Sequence, residues 1–220
     1  SGAGNIAIGY QAADVLATGG QNIAIGGYDG TTAAALGAST SGTCNIAIGT
    51  GALATANEDD NDGSVAIGYK ACFAQAGTGG AQFSNATVGI GYQALAALTT
   101  GAGNTAIGYQ TLDELTTGNY NTALGYAALH QMDGGEEHMT AVGYNAGDAA
   151  DGNTTCTLIG SQTDPNTTGT DNETVIGYNT TGAGGSNTVT LGNANVTDVY
   201  MAQDKGATVH CAQVREGSAL

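Results

Sequence analysis

The chain repeats a short alternation of large apolar, small and glycine residues. Clear copies read NIAIGY at residues 5–10, NTAIGY at 104–109 and NTALGY at 121–126. An alternation with a period of two, enriched in β-branched residues, is typical of β-strands. Each copy therefore predicts a short strand that ends at a glycine.

The copies recur along the chain as a regular array. Their glycines are most often 17 residues apart, and the eleven positions are Gly9, Gly26, Gly49, Gly68, Gly91, Gly108, Gly125, Gly143, Gly160, Gly177 and Gly192. A repeat of this length predicts one structural turn per copy, with successive strands about 4.8 Å apart. We therefore expect an all-β parallel β-solenoid, or β-roll, of about eleven coils. The longer steps predict loop insertions near 29–42, 54–63 and 73–84.

Three side-chain columns follow from aligning the copies. The residue before each glycine is aliphatic, the residue two positions earlier is β-branched, and a small residue, most often Ala, lies between them. We expect the two columns of large residues to be buried. The small-residue face would let a second backbone approach closely, either the return strand of the same coil or a neighbouring subunit, which favours a homotrimer. Thr replaces Ile or Val in later copies of the β-branched column, so this Thr column is also expected to be interior, which argues against ice binding.

A tyrosine follows the glycine in seven copies. This column has two interpretations, a stacked aromatic ladder at the coil corner or a platform that stacks on a ligand, and the ladder is favoured. A further pattern of small residues and leucines follows, as at residues 93–95 and 110–112. It is compatible with a short return strand or with a helical half-turn.

Composition narrows the classes of function. The chain has 38 glycines, two Phe and no Trp in 220 residues, which indicates a thin, layered core. Three basic residues against 19 acidic ones give a formal net charge of −16, which disfavours nucleic acid and anionic lipid as partners. No apolar run is long enough to span a membrane, so membrane insertion is not expected. The few charges and many small polar residues suit the surface of an extracellular fibre.

Few residues carry recognisable chemistry. Asp59, Asp60 and Asp62 offer hard oxygen ligands for Ca²⁺, but the full calcium-binding loop is absent, and a solvated acidic loop is the preferred interpretation. Glu136, Glu137 and His138, with His130, lack the spacing of a transition-metal site.

None of the three histidines lies in a catalytic motif, and the four cysteines lack a C-x-x-C pair. We therefore predict neither an enzyme nor a bound cofactor. A pair of glycan-hydrolysing carboxylates leaves no local signature and stays open as an alternative.

The repeat G-N-x-A-I-G-Y-x-A-L resembles the head repeats of trimeric autotransporter adhesins and similar arrays in phage tail fibres. The resemblance covers residues 1–193 and implies a parallel β-roll in each subunit, with three rolls packed as a trimer. This chain differs by its longer period, its recurrent Tyr and its insertions. Residues 186–200 resemble the segment that precedes the self-cleaving intramolecular chaperone of phage tail spikes, which implies a virion fibre.

These observations predict a solenoid domain at 1–193 and a connecting segment at 194–220. The expected function is that of an extracellular structural and adhesive fibre segment, on a virion tail or a cell surface, that binds a host glycan or protein through multivalent loop contacts. The expected receptor contacts are Tyr28, Asp59, Asp60, Phe73 and Phe83. The alternatives are a mechanical filament or spacer without a receptor, and a glycan-cleaving tail spike.

Overall fold

The computed structural model describes residues 2–55, 62–75, 86–166 and 169–199. Within these ranges every regular element is a β-strand and no helix occurs. Two strands have two residues each, β10 (Thr163–Asp164) and β12 (Thr180–Thr181). The others have three residues each: β1 Ile6–Ile8, β2 Ile23–Ile25, β3 Ile46–Ile48, β4 Val65–Ile67, β5 Val88–Ile90, β6 Thr105–Ile107, β7 Thr122–Leu124, β8 Thr140–Val142, β9 Thr157–Ile159, β11 Thr174–Ile176 and β13 Val189–Leu191.

The three-residue strands form one parallel sheet of eleven strands in chain order, apart from the intervening short strands. Equivalent repeat positions pair throughout, as Ala47 does with Ala66 and Gly89 with Ala106. Each strand returns to the next through one coil, so eleven strands enclose about ten turns. The predicted parallel β-solenoid is confirmed.

The return segments are turns in most coils. They use the left-handed backbone region at non-glycine residues, including Gln93 and Leu95, both with φ of 55°. Only the short strands β10 and β12 pair with each other in a second, two-stranded parallel sheet. Of the two alternatives for the return segment, a short strand therefore occurs, among the described residues, only in the C-terminal coils.

The small-residue column, and not the large ones, faces the interior. From β2 onward the strand alanines are fully buried, whereas Leu124 is 45% exposed. In β1, at the end of the solenoid, both Ala7 and Ile8 are exposed, Ile8 at 56%. The expectation that the aliphatic column is buried is therefore wrong for the single chain. The reason is volume: buried leucines of the return segments, such as Leu95 and Leu112, already fill the narrow coil opposite the alanines.

Compensating sizes support this packing. Where Gly147 takes the place of a return-segment leucine, the strand of the next coil supplies Leu158 in place of alanine. A Cβ atom built on Gly147 would lie 2.5 Å from Leu129 Cδ2 and 2.8 Å from Leu158 Cδ1, so these two leucines occupy the space that the glycine leaves. At this position the lost volume of one side chain is thus offset by a larger one in the neighbouring strand.

The threonine column also faces outward, contrary to expectation. Thr122 is exposed, and Thr105, Thr140, Thr157 and Thr174 are half-buried. They lie on the same side of the sheet as the aliphatic column because residues i and i+2 of a strand share a face. Interior burial is therefore no argument against ice binding.

The glycine that ends each strand is required by its backbone geometry. Gly108 has a φ of 146°, and a Cβ atom there would lie 2.0 Å from the carbonyl oxygen of Gly125 in the next coil. Any side chain would collide with backbone, which explains why the sequence repeats glycine at this position.

A polar ladder runs beside the sheet, one residue before most of its strands, with Met139 and Cys156 in this position before β8 and β9. Asn22 Oδ1 accepts a hydrogen bond of 2.8 Å from the backbone N–H of Asn45, whose own Oδ1 accepts one of 2.9 Å from Ser64. Asn22 Nδ2 also donates to the carbonyl of Gly42 at 2.7 Å. These buried amides link one coil to the next, a role that the sequence pattern did not reveal.

The first insertion is shorter than predicted. Ala35 N–H donates to the carbonyl of Gly26 at 3.0 Å, as Ala12 donates to Gly9 at 3.2 Å in the preceding coil. The coil has therefore resumed by Ala35, and Leu36, inside the predicted range 29–42, is fully buried. The excursion lies between Gly26 and Ala35. Of the ranges 54–63 and 73–84, the structure describes only 54–55, 62–63 and 73–75.

Candidate interaction surfaces

The outer face of the large sheet carries an apolar strip, formed by the aliphatic column along its whole length and by Ile or Val beside it where threonine does not replace them. Besides Ile8 and Leu124, the exposed members include Ile107 at 37%, Ile159 at 40% and Ile176 at 38%. Because equivalent residues pair in register, the columns run the full length of the solenoid, about 50 Å at about 4.8 Å per coil. A contiguous apolar surface of this kind is typical of an interaction site.

A row of tyrosines, Tyr69, Tyr92, Tyr109, Tyr126 and Tyr144, is stacked two residues beyond the aliphatic column. Their ring centroids are 4.9 to 5.5 Å apart, with interplanar angles of 8 to 23°. The predicted aromatic ladder is therefore present over five of the seven tyrosines of the column. Lys70 Nζ lies 5.5 Å from the ring centroid of Tyr69 and covers that end of the row.

Tyr28, a predicted receptor contact, lies at an open groove in the first excursion. Tyr28 is 42% exposed and donates from its hydroxyl to the Gly30 carbonyl at 2.8 Å. The groove has a volume of about 360 Å³ and is also lined by Val15, which is 45% exposed.

The loop that carries Tyr28 is held by Asp29. Its carboxylate accepts hydrogen bonds from the backbone N–H of Thr32 at 2.6 Å and of Thr31 at 2.9 Å. These two donors lower the pKa of Asp29 from its ordinary value. Thr32 Oγ1 lies 3.0 Å from the Tyr69 hydroxyl, which ties the loop to the tyrosine row.

Phe73 lies beside the same end of the row. Its half-buried ring centroid is 5.2 Å from Lys70 Nζ, so one ammonium group lies near both Tyr69 and Phe73. Tyr28 and Phe73 are thus linked only indirectly, through the first excursion and Tyr69. The other predicted contacts, Asp59, Asp60 and Phe83, fall outside the described residues.

Two acidic features concern metal binding. Asp62 is exposed, and its carboxylate accepts a hydrogen bond of 2.6 Å from the backbone N–H of Thr43; its predicted calcium partners Asp59 and Asp60 are not described. A different group, Asp133, Glu136 and Asp151, brings carboxylate oxygens within 4.8 Å of one another. The sequence drew attention to Glu136 but not to the others, because Asp151 comes from the following coil.

Glu136 is already engaged by backbone groups. Its carboxylate accepts hydrogen bonds from the N–H groups of Gly152 at 3.1 Å and Gly134 at 3.2 Å. Hard oxygen ligands of this type suit Ca²⁺ or Mg²⁺. The same contacts also explain the cluster as a brace between coils.

Two cysteine thiols and one histidine ring lie in environments that fit a structural role. Burial raises the pKa of the Cys72 thiol to about 12, and burial also raises the pKa of Cys156. Such thiols stay protonated and unreactive near neutral pH. The His130 ring contacts the Asp113 carboxylate of the preceding coil through Nδ1.

The described residues include no helix that is long and apolar enough to cross a membrane. Comparison of the chain with protein-family models, curated proteins and solved structures gave no match.

Proposed function

We propose that this chain is a non-catalytic segment of an extracellular fibre, on a virion tail or a cell surface, that assembles as a homotrimer and contacts a host surface multivalently. The observation that carries the proposal is the apolar strip on the outer face of a rigid solenoid. A single chain leaves the strip exposed to water over about 50 Å. Burial against other copies removes this apolar area from water.

The length of the strip suits self-association. A face about 50 Å long and about 10 Å wide covers about 500 Å², the outward threonines included, so each copy would bury further flanking surface to reach the about 800 Å² of a standard interface. Identical coils repeat the same spacing in every copy, so the columns of one chain are matched in length by those of another.

Recognition in this proposal belongs to the first excursion and the residues near Tyr69. Tyr28, Val15 and Phe73 supply apolar surface, while Asp29 holds the loop in one conformation through its backbone hydrogen bonds. A preorganised loop loses less entropy on binding than a mobile one. Three copies along one fibre would gain avidity on a repetitive target such as a surface glycan.

The assembly is tested by light scattering on the chain. We expect a mass near three times 21.5 kDa. Ile107→Asp places a charge in the strip and is expected to give monomers, whereas Val15→Asp, an equivalent change at an exposed aliphatic outside the sheet, should leave the trimer intact. A monomeric wild-type chain rejects the trimer.

Adhesion is tested separately on a glycan array and on host cells. Tyr28→Ala and Phe73→Ala should each reduce binding at least several-fold without changing the mass. A trimer that binds neither glycans nor cells would favour the mechanical spacer.

Ice binding is a second candidate because of the outward threonines. The five later coils present Thr and an aliphatic residue on one face in strict register, as in Thr105 and Ile107. This function needs the same face to be free, so it competes with the trimer. Thermal hysteresis by a monomeric chain, lost in Thr140→Lys, would favour it.

A further inference from the structure

The stacked tyrosines define the distances and angles at which one ring of the row packs on the next. Tyr109 lies between two others, with its centroid 5.1 Å from Tyr92 and 4.9 Å from Tyr126, and both interplanar angles are 8°. Each internal rung of the row is thus a phenol ring between two phenol rings, at distances that favour aromatic stacking.

The row is interrupted by one rung at Ser161. The backbone register continues without a break: Gln162 N–H donates to the Tyr144 carbonyl at 2.8 Å, and Asn179 N–H donates to the Ser161 carbonyl at 2.9 Å. Within the intact row, Ala127 N–H donates to the Tyr109 carbonyl at 2.9 Å in the same way. Ser161 therefore occupies a tyrosine position, and Tyr178 resumes the column one coil later.

The tyrosines on either side of this gap are well exposed. Tyr178 is 66% exposed and Tyr144 is 52% exposed, against 40 to 50% for the three tyrosines that have a stacked ring on both sides. Two rungs of the solenoid separate their backbones by about 10 Å. A ring placed midway would be about 5 Å from each, which is the spacing inside the row.

We propose that the gap at Ser161 is a binding slot for one aromatic ring of a ligand, of the size of a phenol. The ligand ring would complete the row by stacking between Tyr144 and Tyr178, above the Ser161 hydroxyl. The other interruption, at Gly27 and Thr50 between Tyr10 and Tyr69, is two rungs wide. Its tyrosines are about 15 Å apart, too far to contact the two faces of one ring.

The test is a titration of the full chain with 4-fluorophenol, followed by fluorine NMR of the probe. Two stacking contacts on so small a ligand predict a dissociation constant of about 1–10 mM. Ring currents from both tyrosines should shift the bound probe upfield. Absence of binding to the wild-type chain would overturn the proposal.

Variants locate the site. Ser161→Tyr fills the slot with a residue that the same column already carries in seven coils, so the fold is expected to persist and binding to fall at least tenfold. Thr50→Tyr narrows the wider interruption to one rung, at Gly27, and should therefore add a second site for the probe. Tyr178→Leu should weaken binding several-fold.

Equal binding by the wild type and Ser161→Tyr would refute the slot. Binding of methyl glucoside in preference to the phenol would assign the gap to a sugar ring instead. Light scattering on the same samples gives the oligomeric state, so binding of the probe is judged separately from the proposed trimer.

Discussion

At the scale of single residues, the contact between His130 and Asp113 predicts a pH-dependent contribution to stability. Partial burial opposes the charged imidazole, but the hydrogen bond and negative charge of Asp113, with the charges of Glu114 and Asp148, outweigh it and raise the pKa of His130. A histidine whose folded-state pKa lies above its unfolded value of about 6.5 stabilises the fold below that pH. This contribution is lost as the pH rises through the folded-state pKa.

We therefore expect His130→Gln to lower the free energy of unfolding by about 0.5–1 kcal/mol at pH 6 and by less at pH 9. The effect is small because the ion pair is partly exposed to solvent. Urea denaturation at both pH values measures the difference. In an Asp113→Asn background the difference between the two pH values should become smaller, because only the charges of Glu114 and Asp148 still favour the protonated ring. A larger cost at pH 9 than at pH 6 in the wild-type background would contradict the argument.

At the scale of elements, the polar ladder connects successive coils by hydrogen bonds, as the sheet does. Asn121 Oδ1 accepts from the backbone N–H of Met139 at 2.9 Å, and its Nδ2 donates to the carbonyl of Glu136 at 2.8 Å. Asn121→Ala leaves these groups without their partner, so we expect a loss of about 2 kcal/mol in the free energy of unfolding. Thr122→Ala, one residue along on the outer face, should cost less than about 0.5 kcal/mol. Chemical denaturation compares the two, and equal costs would show that the ladder adds no stability.

The elements also show how far the repeat pattern determines the fold. Strand positions, the invariant glycine and the parallel register follow from the sequence, because a period of 17 with a two-residue alternation allows few other arrangements. The alternation does not say which face is interior. Side-chain volume suggested that Ile6 and Ile8 face the interior, but the leucines of the return segments fill that space. The regular recurrence of these leucines, as at Leu95 and Leu112, was the signal in the sequence that could have shown this.

The candidate surfaces were predicted less completely than the fold. The tyrosine row was visible as a column, but its one-rung gap has meaning only when the coils are known to be stacked in register. The cluster of Asp133, Glu136 and Asp151 joins two coils whose lengths differ, so the sequence could not align its members. Contacts between coils depend on the length of each return segment, which a repeat pattern alone leaves undetermined.

At the scale of the whole molecule, charge opposes the proposed assembly. Each chain carries a formal charge of −16, so three chains together carry −48. In the described ranges Lys70 is the one Lys or Arg side chain, so few positively charged groups are present to form salt bridges between copies. Association must therefore depend on apolar burial against a long-range repulsion.

This balance predicts an unusual response to salt. Raising the ionic strength from about 20 mM to about 0.5 M shortens the screening length from about 20 Å to about 4 Å, which weakens the repulsion and leaves apolar burial intact. We expect the chain concentration at half-assembly to fall several-fold over this range, measured by sedimentation velocity. Ile107→Asp should stay monomeric at both salt concentrations, because screening does not restore the lost apolar contact. Dissociation of the wild type by added salt would instead indicate an interface held by charge pairs and would contradict assembly through the apolar strip.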